Sequence, residues 1–188
     1  KKVDLIAVAV ISKGIDWASI ELGKVLKSNI PILILTKGLA INNNNYEILA
    51  HKMERLMKKK GIKEINISVA GGPCLAKGLA NRVHTSVVFA NKDIEIAKKI
   101  SQLVSTDYYH ICTSDDVIGV ETCAAIKNIF SMIIGASQGL CSSNNLKEIG
   151  EKNYLNTAAS LLQQSIYEMI IFTEKLKGKR GTVMGLAG

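Results

Sequence analysis

Aromatic side chains are scarce, at 5% of 188 residues, so a core has to be built from Ile, Leu, Val, Ala and Met. The same scarcity leaves the basic residues without the interleaved rings that stack nucleic-acid bases. Cysteine is thin as well. Cys74, Cys112, Cys123 and Cys141 lie far apart, with no C-x-x-C pair and no His/Cys cluster. That spacing excludes a disulfide framework and a zinc site, and no metal is expected. Cys112 and Cys123 sit among apolar neighbours and read as buried small hydrophobes, which suits a reducing cytoplasm. The longest stretch without charge, residues 128–146, carries Ser131, Gly135, Ser137, Gln138, Ser142, Ser143, Asn144 and Asn145. It is too polar for a membrane span and is expected to be a buried helix with its exit loop. No signal peptide is visible, and the ends, Lys1-Lys2-Val3 and Gly185-Leu186-Ala187-Gly188, read as cut.

Hydrophobic residues make up 47% and charged residues 21%, the balance of a soluble globular chain with one good core. The formal net charge is +8. Its lysines (Lys52, Lys58 to Lys60, Lys98, Lys99, Lys175, Lys177) are spread over helix-like stretches with Glu54, Glu95 and Glu174 among them. Solvated helix faces account for that pattern, and no nucleic-acid partner is expected. A mild basic bias suits a small phosphorylated substrate.

The first half alternates strand and helix. Residues 3–11 form an almost continuous apolar run, as in a central parallel strand, and residues 16–26 follow with helical spacing. Further strands are expected at 32–35, 64–69, 85–90 and 108–113. Helices are expected at 46–60, after a polar loop at 42–45, and at 93–103. From Ser114 the pattern changes to long helices, 117–140 and 156–176, the first apolar nearly all the way round. The fold class is therefore α/β: the later part of a Rossmann-like nucleotide-binding domain, residues 1–113, followed by the start of an all-α domain, residues 114–188. A right-handed parallel arrangement is expected for the first part.

In such sheets the ligand lies beyond the carboxyl ends of the strands. Three loops fall there: Ser12-Lys13-Gly14, Thr36-Lys37-Gly38 and Gly71-Gly72-Pro73-Cys74-Leu75-Ala76. Paired glycines let the backbone approach a ligand, and a helix opening at Ala76 would offer free N–H groups to an anion; the alternative is a tight turn with no ligand. Lys37, at a strand end before a glycine, can reach a phosphate or carbonyl oxygen, or can be a solvated loop lysine. Lys127 is the sharper case. Its helical neighbours are Cys123, Ala124, Phe130 and Ser131. A lysine stripped of water there loses solvation of its charged form, its pKa falls, and it becomes a general acid/base; the alternative is a stem that snorkels to solvent. His84 and His110 lack a carboxylate at fixed spacing and read as structural, and Asp115-Asp116 reads as a helix cap.

These segments, in order, resemble NAD(P)-dependent glycerol-3-phosphate dehydrogenases. Thr36-Lys37-Gly38-Leu39 is similar to that family's T-K-G-L/I segment. Gly72-Pro73-Cys74-Leu75-Ala76-Lys77 resembles its G-P-[ST]-x-A-x-E, and residues 85–90 its T-x-V-V strand. Gly119-Val120-Glu121 with Ala124-Ala125-Ile126-Lys127-Asn128 resembles its G-x-E…A-L-K-N helix. Asn156-Thr157-Ala158-Ala159 with Glu168-Met169, and then residues 185–188, resemble two later motifs. The resemblance implies interconversion of dihydroxyacetone phosphate and sn-glycerol 3-phosphate with NAD or NADP. It implies Lys127 as proton donor and acceptor. It further implies Lys37, Gly72, Cys74 and Asn128 at the substrate, and Ser12, Lys37 and Ala76 at the cofactor, in a cytoplasmic enzyme and a possible homodimer.

The chain departs from the pattern in three places. Cys74 stands for Ser or Thr, which weakens or removes a hydroxyl contact to substrate; Gly78 stands for an acid, and Gln164 for Arg. The G-x-G-x-x-G fingerprint and the later Gly-Asp-Leu and Arg-Asn segments lie outside the 188 residues, so this stretch alone is expected to bind cofactor poorly and to be inactive. Competing readings are a β-hydroxyacid or ketopantoate-type reductase, and a non-catalytic remnant serving as a binding scaffold.

Overall fold

The computed structural model describes residues 3–26, 30–141 and 154–188, without the side chains of 140, 141, 154 and 155. A five-stranded sheet runs in the order β1-β2-β5-β6-β7, with β1 at Ile6–Val8, β2 at Ile32–Ile34, β5 at Ile67–Gly71, β6 at Thr85–Ala90 and β7 at Tyr109–Ser114. Strands β1, β2 and β5 are parallel, in register through Ile6↔Ile32 and Ile32↔Ile67. Helices α1 (Ile15–Val25), α2 (Leu49–Lys59) and α4 (Ile94–Val104) complete the α/β part. The apolar core of β1, β2, β5, α1 and α2 continues into Val117, Val120, Cys123, Met169 and Ile170. A smaller cluster, Leu33, Val87, Phe89 and Ile100, lies under α4.

The parallel arrangement expected for this part holds for β1-β2-β5 and for β6-β7, with one reversal: β6 runs antiparallel to β5, pairing Val69↔Ala90 and Gly71↔Val88. The reason is the length of the connection. A parallel return needs a crossover that traverses the sheet, whereas α3 (Ala76–Ala80) is a single short helix of about 7.5 Å. Strand β6 therefore starts where β5 ends, and β7 follows parallel to it after the full crossover of α4. This reversal determines the site. The next helix, α5 (Val117–Cys141), starts from the far end of the sheet and runs back toward the carboxyl ends of β1, β2 and β5.

A second departure lies between β2 and α2. The helix expected from residue 46 begins only at Leu49, and residues 39–48 form an antiparallel hairpin, β3 (Leu39–Asn42) and β4 (Asn45–Ile48). Asn43 and Asn44 turn it with φ of 48° and 61°. A two-residue turn with both φ positive matches strand twist, and asparagine tolerates it better than other side-chain-bearing residues.

Helix α5 is anchored as expected from Asp115-Asp116. Asp116 Oδ1 accepts from Gly119 N at 2.9 Å, an N-cap, while Oδ2 accepts from Lys179 N at 2.8 Å and Thr182 Oγ1 at 2.5 Å. One buried carboxylate thus ties α5 to Lys179, between α6 (Tyr154–Lys175) and α7 (Arg180–Val183), and to Thr182 within α7. The burial of α5 is one-ended, unlike the wholly buried helix expected. Val117, Val120, Cys123 and Ala124 are buried, whereas Ile129, Met132 and Ile133 are exposed among the described residues. By length and mean hydropathy, 1.6 over Val117–Gly139, α5 could cross a bilayer. It reads instead as a core helix, because Glu121 is buried against α2 and the first turns pack on β5. The exit loop expected beyond it falls on residues 142–153, outside the described residues.

The remaining expectations divide. Cys123 is buried, 3.9 Å from Thr173 Oγ1, but Cys112 is exposed. Strand β7 is the sheet edge, and Cys112 there lines an open cavity with Lys179, Gly181 and Leu186. Lysines pair along helix faces as anticipated, including Lys58–Glu54 and Lys98–Glu95.

Candidate active site

The exits of β1 and β2 are stapled together by the first residue of the Thr36-Lys37-Gly38 loop. Thr36 is buried and its Oγ1 donates to Val10 O at 2.6 Å. It thereby fixes the point where the chain leaves β2 and Lys37 begins. Gly38 follows with φ +139°, and a Cβ there would sit 3.2 Å from Ser12 Cβ. Ser12 and the Lys37-Gly38 loop are therefore neighbours, as a common role for them requires.

The Gly-Gly turn after β5 approaches protein rather than open space. A Cβ on Gly71 would meet Val120 Cγ1 at 2.8 Å and Ala187 Cβ at 3.7 Å, and one on Gly72, at φ +120°, would meet Val87 Cα at 3.0 Å. Glycine at 71 lets α5 and the residues after α7 close on the sheet; glycine at 72 lets the turn pass over β6. Cys74 packs with Leu33, Val87, Phe89 and Tyr109 on the α4 side of the sheet. Its side chain is thus partly buried against the small cluster rather than standing free at the turn. Ala76 opens α3 at the surface.

Lys127 lies roughly three turns into α5 and reaches the carboxyl ends of β1, β2 and β5. It is half-buried, and its Nζ donates to Ala187 O at 3.4 Å, a long hydrogen bond. Burial lowers its pKa below the ordinary lysine value of 10.5, and the charge of Lys37 lowers it further, with Cys123 opposing. The desolvation anticipated for Lys127 is present, and a second cation accompanies it. Asn128 is exposed, one residue on. Lys37, Ser12, Lys127 and the Gly71-Gly72 turn are therefore gathered at one end of the sheet, while Cys74 faces elsewhere.

Two groups were missed. Ala187 O is a main-chain acceptor with no signature of its own. Glu121 carried the same signal as Lys127, a charge in an apolar helix, and is 2% exposed. His84 and His110, expected to be structural residues, stack at 5.4 Å with His84 Nδ1 3.1 Å from His110 Nε2, on the exposed sheet edge. Among the described residues no three His, Cys, Asp or Glu side chains converge as a metal site would need.

The family model "NAD-dependent glycerol-3-phosphate dehydrogenase N-terminus" matches residues 1–97, and its C-terminal counterpart matches residues 116–188. The chain belongs to the NAD-dependent glycerol-3-phosphate dehydrogenase family. Among relatives, glycerol-3-phosphate dehydrogenase [NAD(P)+] 1 of Mycobacterium tuberculosis is 29% identical over 98% of this chain and 49% of its own length. The NADP(+)-dependent glycerol-3-phosphate dehydrogenase of Archaeoglobus fulgidus is 31% identical over 84% of this chain and 44% of its own. The chain spans about half the length of the curated relatives it matches. The crystal structure of the glycerol-3-phosphate dehydrogenase from Coxiella burnetii superposes with a TM-score of 0.80 at 26% identity, covering 99% of this chain and 51% of that one. That of Dunaliella salina, with a TM-score of 0.81 at 22% identity over 98% of this chain and 29% of that one, shares the fold.

Residues of this glycerol-3-phosphate dehydrogenase family chain fit part of a dinucleotide site. The β1 and β2 exits meet at Ser12 and Gly38, and the absence of a side chain at Gly38 lets the Ser12 side chain sit against that loop.

Proposed function

We propose that these residues form the central part of an active site that interconverts dihydroxyacetone phosphate and sn-glycerol 3-phosphate. The observation that carries the proposal is the placing of half-buried Lys127 beside Lys37 at the carboxyl ends of the parallel strands. A bound NAD or NADP supplies hydride chemistry at the substrate's C2. Lys127, as ammonium, donates a proton to the oxygen that becomes negative on reduction, and as neutral amine it accepts that proton on oxidation. Lys37 contributes a point charge to cofactor and substrate phosphate, and its charge also favours the neutral form of Lys127. Ser12 and Ala76 line the cofactor side. Gly72 and Cys74 meet the substrate through their main chain, with Asn128 beside the acid/base.

The division proposed is a dinucleotide-binding part, residues 1–113, and a helical part from residue 114 that carries the acid/base. Free Cys74, Cys112 and Cys123 support a reducing cytoplasm.

A substrate panel on the full-length protein tests the reading. Oxidation of NADH or NADPH is expected with dihydroxyacetone phosphate and not with a 2-keto acid or ketopantoate. Preference for the latter assigns a different reductase, and no turnover of any of them assigns a scaffold. The main-chain role of Cys74 is tested by Cys74→Ser: because the thiol packs on the α4 side, KM for dihydroxyacetone phosphate is expected to change less than about threefold. A tenfold fall would place this side chain at the substrate instead.

A further inference from the structure

Helix α2 has no cap of its own. Its N-cap residue is Ile48, whose side chain cannot accept a hydrogen bond, and the exposed N–H groups of the first turn need partners. They find them on another helix. Glu121 Oε1 accepts from Leu49 N at 2.8 Å and Oε2 from Ala50 N at 3.1 Å, so both oxygens of one buried carboxyl cap α2 from α5.

The residues so held are not remote from the site. In the hairpin, Leu39 pairs with Ile48, so Gly38 and Leu49 are the residues just beyond that last pair. A Cβ on Gly38 would lie 3.9 Å from Leu49 Cδ1, which fits that closeness. On the other side, Glu121 shares α5 with Lys127 less than two turns on. The two backbone bonds therefore link the base of the Lys37 segment directly to the helix that bears Lys127.

We propose that Glu121 is a positioning residue: by capping α2 from α5 it holds Lys37 at the distance from Lys127 at which the two lysines act on each other. This rests on the reading of Lys127 and Lys37 as the working pair. Burial pushes the Glu121 carboxyl up to about 8, against the N–H groups of Ala50 and Leu49, which hold it down. Loss of the cap through Glu121→Ala frees the hairpin base and lets Lys37 move away, which removes the second of the two causes that lower Lys127 and leaves its burial in place.

The test reads Lys127 itself, without turnover: NMR titration of its ε-amine in the 13C-labelled full-length protein, with circular dichroism as a check on folding. In Glu121→Ala the midpoint is expected to move up toward 10.5 by roughly half a unit or more, with a smaller shift in Glu121→Gln, which keeps one acceptor. In a Lys37→Met background the Glu121 substitutions should shift it much less, because the cation they release is gone. An unchanged or lowered midpoint in a folded Glu121 variant, or an equal shift with and without Lys37, overturns the proposal. Should Glu121→Ala not fold, Glu121→Gln and the Lys37→Met cycle decide it by the same criteria. If the midpoint shifts as expected while Lys127→Met turns over normally, the positioning stands and the acid/base reading falls; the reverse result separates them the other way.

Discussion

Lys127→Met in the full-length protein is expected to lower kcat for reduction of dihydroxyacetone phosphate about a thousandfold, the scale of a lost general acid. Methionine keeps an unbranched stem of similar length, so the packing of α5 on the sheet survives and only the proton donor is removed. KM and cofactor affinity are expected to change little, because Lys127 bears on the oxygen whose charge develops in the transition state rather than on the phosphate. Lys37→Met should show the opposite split, raising KM more than it lowers kcat. Steady-state kinetics of both variants check this. A Lys127→Met enzyme within tenfold of the parent would assign the acid/base role elsewhere.

The second large effect is on stability, at Gly119→Ala. Helix propensity alone favours alanine by about 0.8–1.0 kcal/mol. The site reverses that sign. A Cβ on Gly119 would overlap Asp116 Oδ2 and approach Thr182 Cβ at 3.0 Å, and Gly178 packs against the Gly119 backbone so closely that its own Cβ would come within 2.8 Å of Gly119 Cα. The carboxylate displaced is the buried one that accepts from Gly119 N, Lys179 N and Thr182 Oγ1. Steric strain together with a buried charge short of donors amounts to about 3 kcal/mol of destabilisation. Gly135→Ala is the control: nothing lies within 4 Å of its Cβ, and a gain of about 0.5–1 kcal/mol is expected. Urea unfolding midpoints should move in opposite directions. A stable Gly119→Ala protein would mean that Asp116 does not join α5 to α7.

Much of the fold was legible because burial writes continuous apolar runs. The strand expected at 85–90 is β6 residue for residue, and α5 begins at Val117 as expected. Strand direction was not legible, since it depends on how far the connection reaches rather than on hydropathy; hence the antiparallel β6. The β3–β4 hairpin was hidden because Asn43-Asn44 lacks the glycine that usually marks such a turn, and Tyr46-Glu47-Ile48 passes for a helix start. At the site, Lys127 stood out as a charge in an apolar helix. Glu121 stood out equally, but its partners are main-chain N–H groups more than seventy residues away, |i−j| of 72 and 71, which no local pattern records. Gly71 and Gly72 were marked as places where the backbone could approach a ligand; what the fold brings against them is α5 and β6.

The account stands on Lys127 moving a proton, and the pH dependence of both reaction directions in the full-length enzyme tests that most directly. Burial and Lys37 lower its pKa, so reduction, which needs the ammonium, should lose kcat/KM as pH rises through a midpoint below 10.5. Oxidation, which needs the neutral amine, should gain through the same midpoint, and Lys37→Met should move both midpoints upward together. Limbs that fail to coincide, or that stay in place when Lys37 is removed, would contradict it.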